Sequence, residues 1–275
     1  MDARVEAPAA PQEVTSRHYG PVNWLGLQTL IEREIRRFVK VGAQTVVAPL
    51  ISTLLYMMVF ALVLSGRTWH GTDKPAVDGL AAGLVMMSIL SNAFQNSASS
   101  IVIAKVQGNA VDFLMPPLSA FELTVAFIVG AAARGMLVGA ASLVAVAFFA
   151  HNLWPEYPLI ALYYAIMASV IFGAIGLIGG IWADKFDHLA AVTNFIIVPL
   201  TFLSGTFYST SVLPEPIRSI SHFNPVFSLI DGFRFGFIGH ADAPLWRGAL
   251  ITGLLALALC WACWAMLKSG YRLRS

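Results

Sequence analysis

The first chemical signal is a set of hydrogen-bonding side chains inside an apolar run. In SNAFQNSASS, with Ser88 just ahead of it, Ser88, Asn92, Gln95 and Ser99 recur at spacings of three and four, which puts them on one stripe of a helix. These hydroxyls and amides offer hydrogen bonds, and hydrocarbon satisfies none of them. The stripe therefore either glues helices together or lines a hydrated path. Arg134 is the second signal, a guanidinium alone in the apolar run 120–150, where it needs a partner or water. It reads as a functional charge or as a tie to carbonyls at a broken helix. Cys260 and Cys263 have the C-x-x-C spacing of a redox pair or half a zinc site, yet they lie in the last apolar run with no second pair to complete four ligands. Packing is the role left to them, and no metal is expected.

Other reactive patterns are absent. No lysine follows a glycine, so no G-x-x-x-x-G-K-[ST] loop can cradle nucleotide phosphates, and neither H-E-x-x-H nor G-x-S-x-G occurs. His188, His222 and His240 fall at span ends or in a late segment, where interfacial hydrogen bonding accounts for them. The chain does not read as an enzyme. If ATP drives it, another subunit binds the ATP.

The elements that position these residues follow from composition. With 57% hydrophobic and 12% charged residues and a mean hydropathy of +0.73, the chain of 275 residues is an all-α integral membrane protein. A net charge of +2 without a basic stripe gives no sign of nucleic acid. Residues 1–22 read as a disordered tail. Residues 23–40 read as an amphipathic helix, with Trp24, Leu27, Ile31, Ile35 and Phe38 on one side and Glu32, Arg33, Arg36, Arg37 and Lys40 on the other, lying in the membrane interface with its cations toward lipid headgroups. A transmembrane domain over 41–268 follows, with six spans at about 41–65, 79–104, 120–150, 158–182, 189–205 and 245–267, then a short C-terminus, 269–275. Pro49 and Pro199 are tolerated as kinks.

Two breaks stand out. Between the second and third spans, Gln107-Gly108-Asn109 ends one helix, and Asn109 can cap a short new one with Asp112 near its positive end. That helix carries Val111, Leu114 and Met115 on one side and Asp112 with Phe113 on the other; Pro116-Pro117 stops it, and Ser119-x-x-Glu122 reads as the capping box of the next span. Before the last span, the stretch with Pro214, Pro216 and Pro225 reads as two short helices dipping into the outer leaflet, with Asn224 as a cap and Gly236 or Gly239 at the exit. Cations set the orientation. Arg4, Arg17, Arg33, Arg36, Arg37, Lys40, Lys105, Lys185, Lys268, Arg272 and Arg274 fall on one side, against Arg67, Lys74, Arg218, Arg234 and Arg247 on the other. Both termini and the short helix at 109–115 therefore belong in the cytoplasm.

From about Asn23 onward the chain resembles the ABC-2 type permeases, the membrane halves of bacterial ABC exporters. The resemblance is carried by NAFQNSASSIVIAKVQGNAVDFLMPP, by ARG around Arg134, by PLTFLSGTFYSTSVLP, and by HFNPVFSLIDGFRFGFIG with the LRS terminus. It implies an amphipathic connecting helix, six spans, a cytoplasmic coupling helix at Asn109 to Met115, and re-entrant outer helices before the sixth span. It further implies a homodimer working with two copies of a separate ATPase that binds ATP and Mg, in the bacterial inner membrane. A path between the first, second and fifth spans of two copies would then be faced by Ser52 and Tyr56, by Asn92, Gln95 and Ser99, and by Phe202, with Phe207 and Tyr208 near the outer mouth. Its mixed lining suits an amphipathic or lipid-linked substrate: a glycolipid, a polysaccharide or a drug-like molecule. The charge order Asp184-Lys185-Phe186-Asp187 departs from the family pattern. A secondary transporter or channel is the rival reading; it needs an ion-coupling site, and no carboxylate obviously accompanies Arg134.

Overall fold

The computed structural model describes residues 20, 22–109, 117–150, 153–215 and 217–272. Helix α1 spans Trp24–Lys40 and is capped by Asn23, whose Oδ1 accepts from the Gly26 amide at 3.0 Å. The helices α2 (Ala43–Val63), α3 (Ala76–Val106), α4 (Ala120–Val146), α5 (Pro158–Trp182), α6 (Phe186–Leu203) and α9 (Leu245–Ser269) are each long and apolar enough to cross a membrane. Between α6 and α9 lie two shorter helices, α7 (Ile217–Phe223) and α8 (Pro225–Ile238). Among the described residues the only β-pairing is an isolated bridge between Thr68 and Pro75.

Prolines shape two of the spans. Pro49 and Pro199 have no amide hydrogen for the carbonyl four residues back, and those carbonyls, on Thr45 and Phe195, fall inside the π-helical turns Ala43–Val47 and Thr193–Ile197. A π turn absorbs the mismatch, so both helices continue through their prolines. Helix α4 ends at Val146, short of residue 150, and α6 begins at Phe186, ahead of Leu189, because the polar stretch at Asp184-Lys185 itself starts that helix. At α8, Asn224 Oδ1 accepts from the Val226 amide at 3.0 Å, and Gly239 takes the left-handed exit at φ +70°. Gly236 instead packs on Ala161.

Helix α3 is the axis of the molecule. Its most apolar window is 89% buried, against 11% in α2 and 17% in α6. Leu80, Leu84, Leu90 and Phe94 of α3 form one core with Phe172 of α5 and Leu229 of α8. Where α3 meets α5 the backbones nearly touch: a Cβ on Gly176 would lie 2.3 Å from the Phe94 carbonyl oxygen, and Ser97 Oγ donates to the Gly173 carbonyl at 2.6 Å. A second core joins Leu27 and Leu30 of α1 to Leu123 and Phe127 of α4 and to Leu177 and Cys263. The Cys263 thiol donates to the Ala174 carbonyl at 3.4 Å, and both cysteines are free. They pack; they do not pair.

These contacts define two ends. The basal end holds the start of α1, the end of α3 and the last residues of α9; the apical end is tied by the Lys74–Glu156 ion pair and by the Tyr157 amide donating to the Gly236 carbonyl at 2.9 Å. At the basal end α3 stops at Val106, and Gly108 turns the chain at φ +72°, a conformation that favours glycine. The Asn109 amide closes the turn on the Ala104 carbonyl at 2.8 Å. Of the expected coupling helix, Val111, Asp112, Phe113, Leu114 and Met115 lie outside the described residues.

Candidate functional site

A cavity of about 560 Å³ opens beside α3, walled by the end of α1, by α2 and by α4. Ser52 and Tyr56 reach it from α2, Asn92, Gln95 and Ser99 from α3, and Arg134 from α4. The stripe on α3 does two jobs. Ser88 shares a hydrogen bond with Thr53 of α2 at 3.0 Å, and Asn92 spans both roles, its Nδ2 donating to the Ser88 carbonyl at 3.0 Å while its Oδ1 accepts from Arg134 Nη2 at 3.3 Å. Gln95 and Ser99 line open space. Ser52 returns its hydroxyl to the Ala48 carbonyl at 3.2 Å, as serines do when a helix faces an apolar medium.

Phe202 and Phe207 extend the wall past Tyr56 without lining the cavity. Their centroids lie 6.1 and 6.0 Å from the Tyr56 ring and 4.8 Å from each other, and Phe60 stands 4.6 Å from Phe207. Tyr208 stands apart, its hydroxyl donating to the Leu203 carbonyl at 2.9 Å.

Arg37 corrects the sequence reading of α1. It is not on the outward face but turned into the bundle, where Nη2 donates to the Asn96 carbonyl at 2.7 Å, to Asn96 Oδ1 at 3.1 Å and to Glu34 Oε2 at 3.2 Å, and Nη1 donates to Ser99 Oγ at 3.1 Å. Glu34 has no solvent exposure, and its other oxygen accepts from Ser100 Oγ at 2.8 Å. The cause is helical phase. The buried stripe of α1 is Leu27, Leu30, Glu34 and Phe38, so the carboxylate enters the core in register with the apolar residues and Arg37 follows one turn later. Gly130 makes room, since a Cβ there would sit 2.7 Å from Glu34 Cβ.

At the basal end Glu122 joins the start of α4 to the head of α1. Its Oε2 accepts from the Ser119 amide at 2.6 Å and its own amide donates to Ser119 Oγ at 3.3 Å, completing the capping box of α4. Its Oε1 accepts from the Asn23 amide at the head of α1. Nearby, Lys105 Nζ donates to the Ile181 carbonyl at 3.0 Å, to the Ala183 carbonyl at 2.8 Å and to Asp184 Oδ1 at 3.0 Å, while Arg272 Nη1 lies 3.5 Å from Asp184 Oδ2. The hydrogen bond from Lys105, then its charge, holds the exposed Asp184 carboxyl below the usual carboxylate range. Asp184 of the departing charge order thus ties α3, the α5–α6 turn and the C-terminal residues to one another.

Arg234 is a further site the sequence pattern did not single out. It is buried in α8, with Nε donating to the Gly79 carbonyl at 3.2 Å, Nη2 to the Gly205 carbonyl, and its guanidinium 4.3 Å from the Trp69 ring centre. An arginine between glycine-flanked phenylalanines in FRFG was the available signal. No group of three or more His, Cys, Asp or Glu suited to a metal occurs among the described residues.

Six membrane-length helices, three of which wall a polar, arginine-bearing cavity, define a multi-pass membrane protein. A family model described as ABC-2 type transporter matches residues 26–238, and the chain belongs to that family. It is 35% identical over 258 residues to the inner membrane transport permease YadH of Escherichia coli, covering 92% of this chain and 98% of that one. It is also similar to nodulation protein J of Sinorhizobium fredii, at 22% over 215 residues covering 78% and 80%, and to that of Bradyrhizobium diazoefficiens, at 26% over 213 residues covering 76% of each.

Proposed function

We propose that the chain is the membrane-spanning permease subunit of an ABC exporter, moving an amphipathic or lipid-linked molecule outward across the bacterial inner membrane. A separate cytoplasmic ATPase, present in two copies and holding ATP and Mg, supplies the energy. The observation that carries this reading is the convergence of Ser52, Tyr56, Asn92, Gln95, Ser99 and Arg134 on one cavity, in a chain whose family is that of ABC-2 type transporters. In this reading the basal end is cytoplasmic, as the bias of Lys and Arg favours, and both termini lie there. Helix α1 rests in the interface with Arg33, Arg36 and Lys40 toward lipid, while α7 and α8 form the re-entrant pair at the outer face.

Two copies of the chain complete the path. Helices α2 and α6 leave Ile51, Leu55, Met58, Val59 and Phe195 exposed, and a second copy covers them in the bilayer plane. Phe202, Phe207 and Tyr208 then flank the outer mouth. Closure of the ATPases pushes on Asn109 to Met115, and the push biases inward-facing against outward-facing states. Glu122 passes it to α1, and Lys105 passes it to the α5–α6 turn.

Recovery of the tagged full-length chain from its native membrane tests the reading. A P-loop ATPase present in equal amount is the expected result; a lone oligomer with no nucleotide-binding partner would overturn it and favour a channel or secondary transporter.

A further inference from the structure

Three arginines sit inside this bundle, and two of them are committed to it. Arg234 holds two carbonyls and the face of Trp69. Arg37 has four acceptors, one of them the carboxylate of Glu34. Arg134 differs. A guanidinium carries five N–H donors, yet among the described residues its one hydrogen bond is the 3.3 Å contact to the amide oxygen of Asn92 and it forms no ion pair; one buried nitrogen without a partner, Nε here, is common to all three arginines. It lines the same cavity as Arg37, and no aspartate or glutamate lines that cavity, so two like charges face one space with only Glu34 to offset them.

From this we infer that the cavity binds a net-negative phosphate group carried on an amphiphile, with Arg134 as the residue that reads its charge. The inference rests on the permease reading for what becomes of the bound molecule, but not for the binding itself. Guanidinium groups pair with oxyanions through parallel hydrogen bonds. Ser91 and Gln95 stand around the same space and suit the further oxygens of a phosphate better than the two of a carboxylate. Beyond Tyr56 the wall turns aromatic, at Phe202 and Phe207, which suits an apolar tail lying toward the apical side. A volume of about 560 Å³ accommodates a headgroup with the first part of its chain.

The test uses the purified full-length chain in a neutral detergent and compares retention of dodecyl phosphate with that of dodecylphosphocholine by native mass spectrometry. The two share a tail and a phosphate and differ in net charge. The native chain is expected to favour dodecyl phosphate by about tenfold, the ratio set by one charge-assisted hydrogen bond of about 1.4 kcal/mol. Arg134→Gln removes the charge, and Asn92→Asp neutralises it in place with almost no change of shape; both are expected to bring the ratio near one, while Arg134→Lys keeps part of it. An unchanged ratio in Asn92→Asp and Arg134→Gln, or no preference in the native chain, overturns the inference, and unfolding temperatures of the variants show that the bundle is intact. No ATPase is needed, so loss of the exporter reading and loss of this one are separate results. The source of the phosphate is settled in vesicles containing the complex and a phosphate lipid with a fluorescent tail: ATP-dependent movement between leaflets marks it as cargo, and ATP-independent retention marks it as a resident membrane phospholipid, either of which upholds the anion site.

Discussion

Glu34 shows how much one residue's helical phase decides. A carboxylate without solvent contact is costly unless each oxygen is partnered, and here Ser100 and Arg37 do this. Glu34→Ala leaves Arg37 facing the cavity uncompensated, and we expect a loss of about 2–3 kcal/mol, below the full cost of a broken buried pair because the Arg37 side chain is 26% exposed. Glu34→Gln keeps one oxygen to accept from Arg37 and presents an NH2 that can donate to Ser100 Oγ, and it costs about half as much; unfolding temperatures in detergent separate the two. The charge was legible in advance only from phase. Glu34 is three residues past Ile31 and four before Phe38, within the apolar stripe, whereas counting polar residues on the opposite face hides it. Arg134 announced itself because it is the one charge in its run beyond the capping Glu122, but its partner Asn92 lies 42 residues away, a pairing that one-dimensional periodicity does not supply.

At the scale of elements, close contact between α3 and α5 is set by small residues. Gly176→Ala drives a methyl group into the Phe94 carbonyl and must separate the helices, at a cost of about 1–3 kcal/mol. Gly42→Ala, at the α1–α2 joint with open space around it and a helical φ of −55°, changes stability by less than about 0.5 kcal/mol. Equal losses in the two variants would contradict this account of the packing. The clamp at Asp184 makes a pH prediction. Because its folded-state pKa lies below the unfolded value of 3.8, the clamp contributes fully above that value and is lost as pH falls through the lower one. Between about pH 5 and about pH 3, Asp184→Asn should therefore lose less thermal stability than the native chain. Elements with strong local signals were readable from the residues: the Ser119–Glu122 capping box, the Asn224 cap, the prolines of α2 and α6. The inward turn of Arg37 depends on Asn96 and Ser99, distant in sequence.

For the whole molecule, the contrast between a buried axis and thinly buried flanks says where motion is possible. Helix α3 is encased by α4, α5 and α8, while α2 and α6 each carry a π turn before a proline and bury little. In the proposed dimer, a path between copies would open along those two helices without disturbing the core. Composition and the spacing of apolar runs made the six-helix plan legible, since length and charge alone mark a membrane span. The substrate was not legible, because a ring of serines, amides and aromatics suits many amphiphiles and the deciding charge balance appears only once Glu34 and Arg134 are placed. In the proposed exporter, ATP hydrolysis in another subunit acts through residues 109–115. The most direct measurement is the ATPase rate of the complex reconstituted in nanodiscs, with the native chain and with Asp112→Ala and Phe113→Ala combined. We predict a fall of roughly tenfold, a coupling of about 1.4 kcal/mol; an unchanged rate in an intact complex would contradict the account.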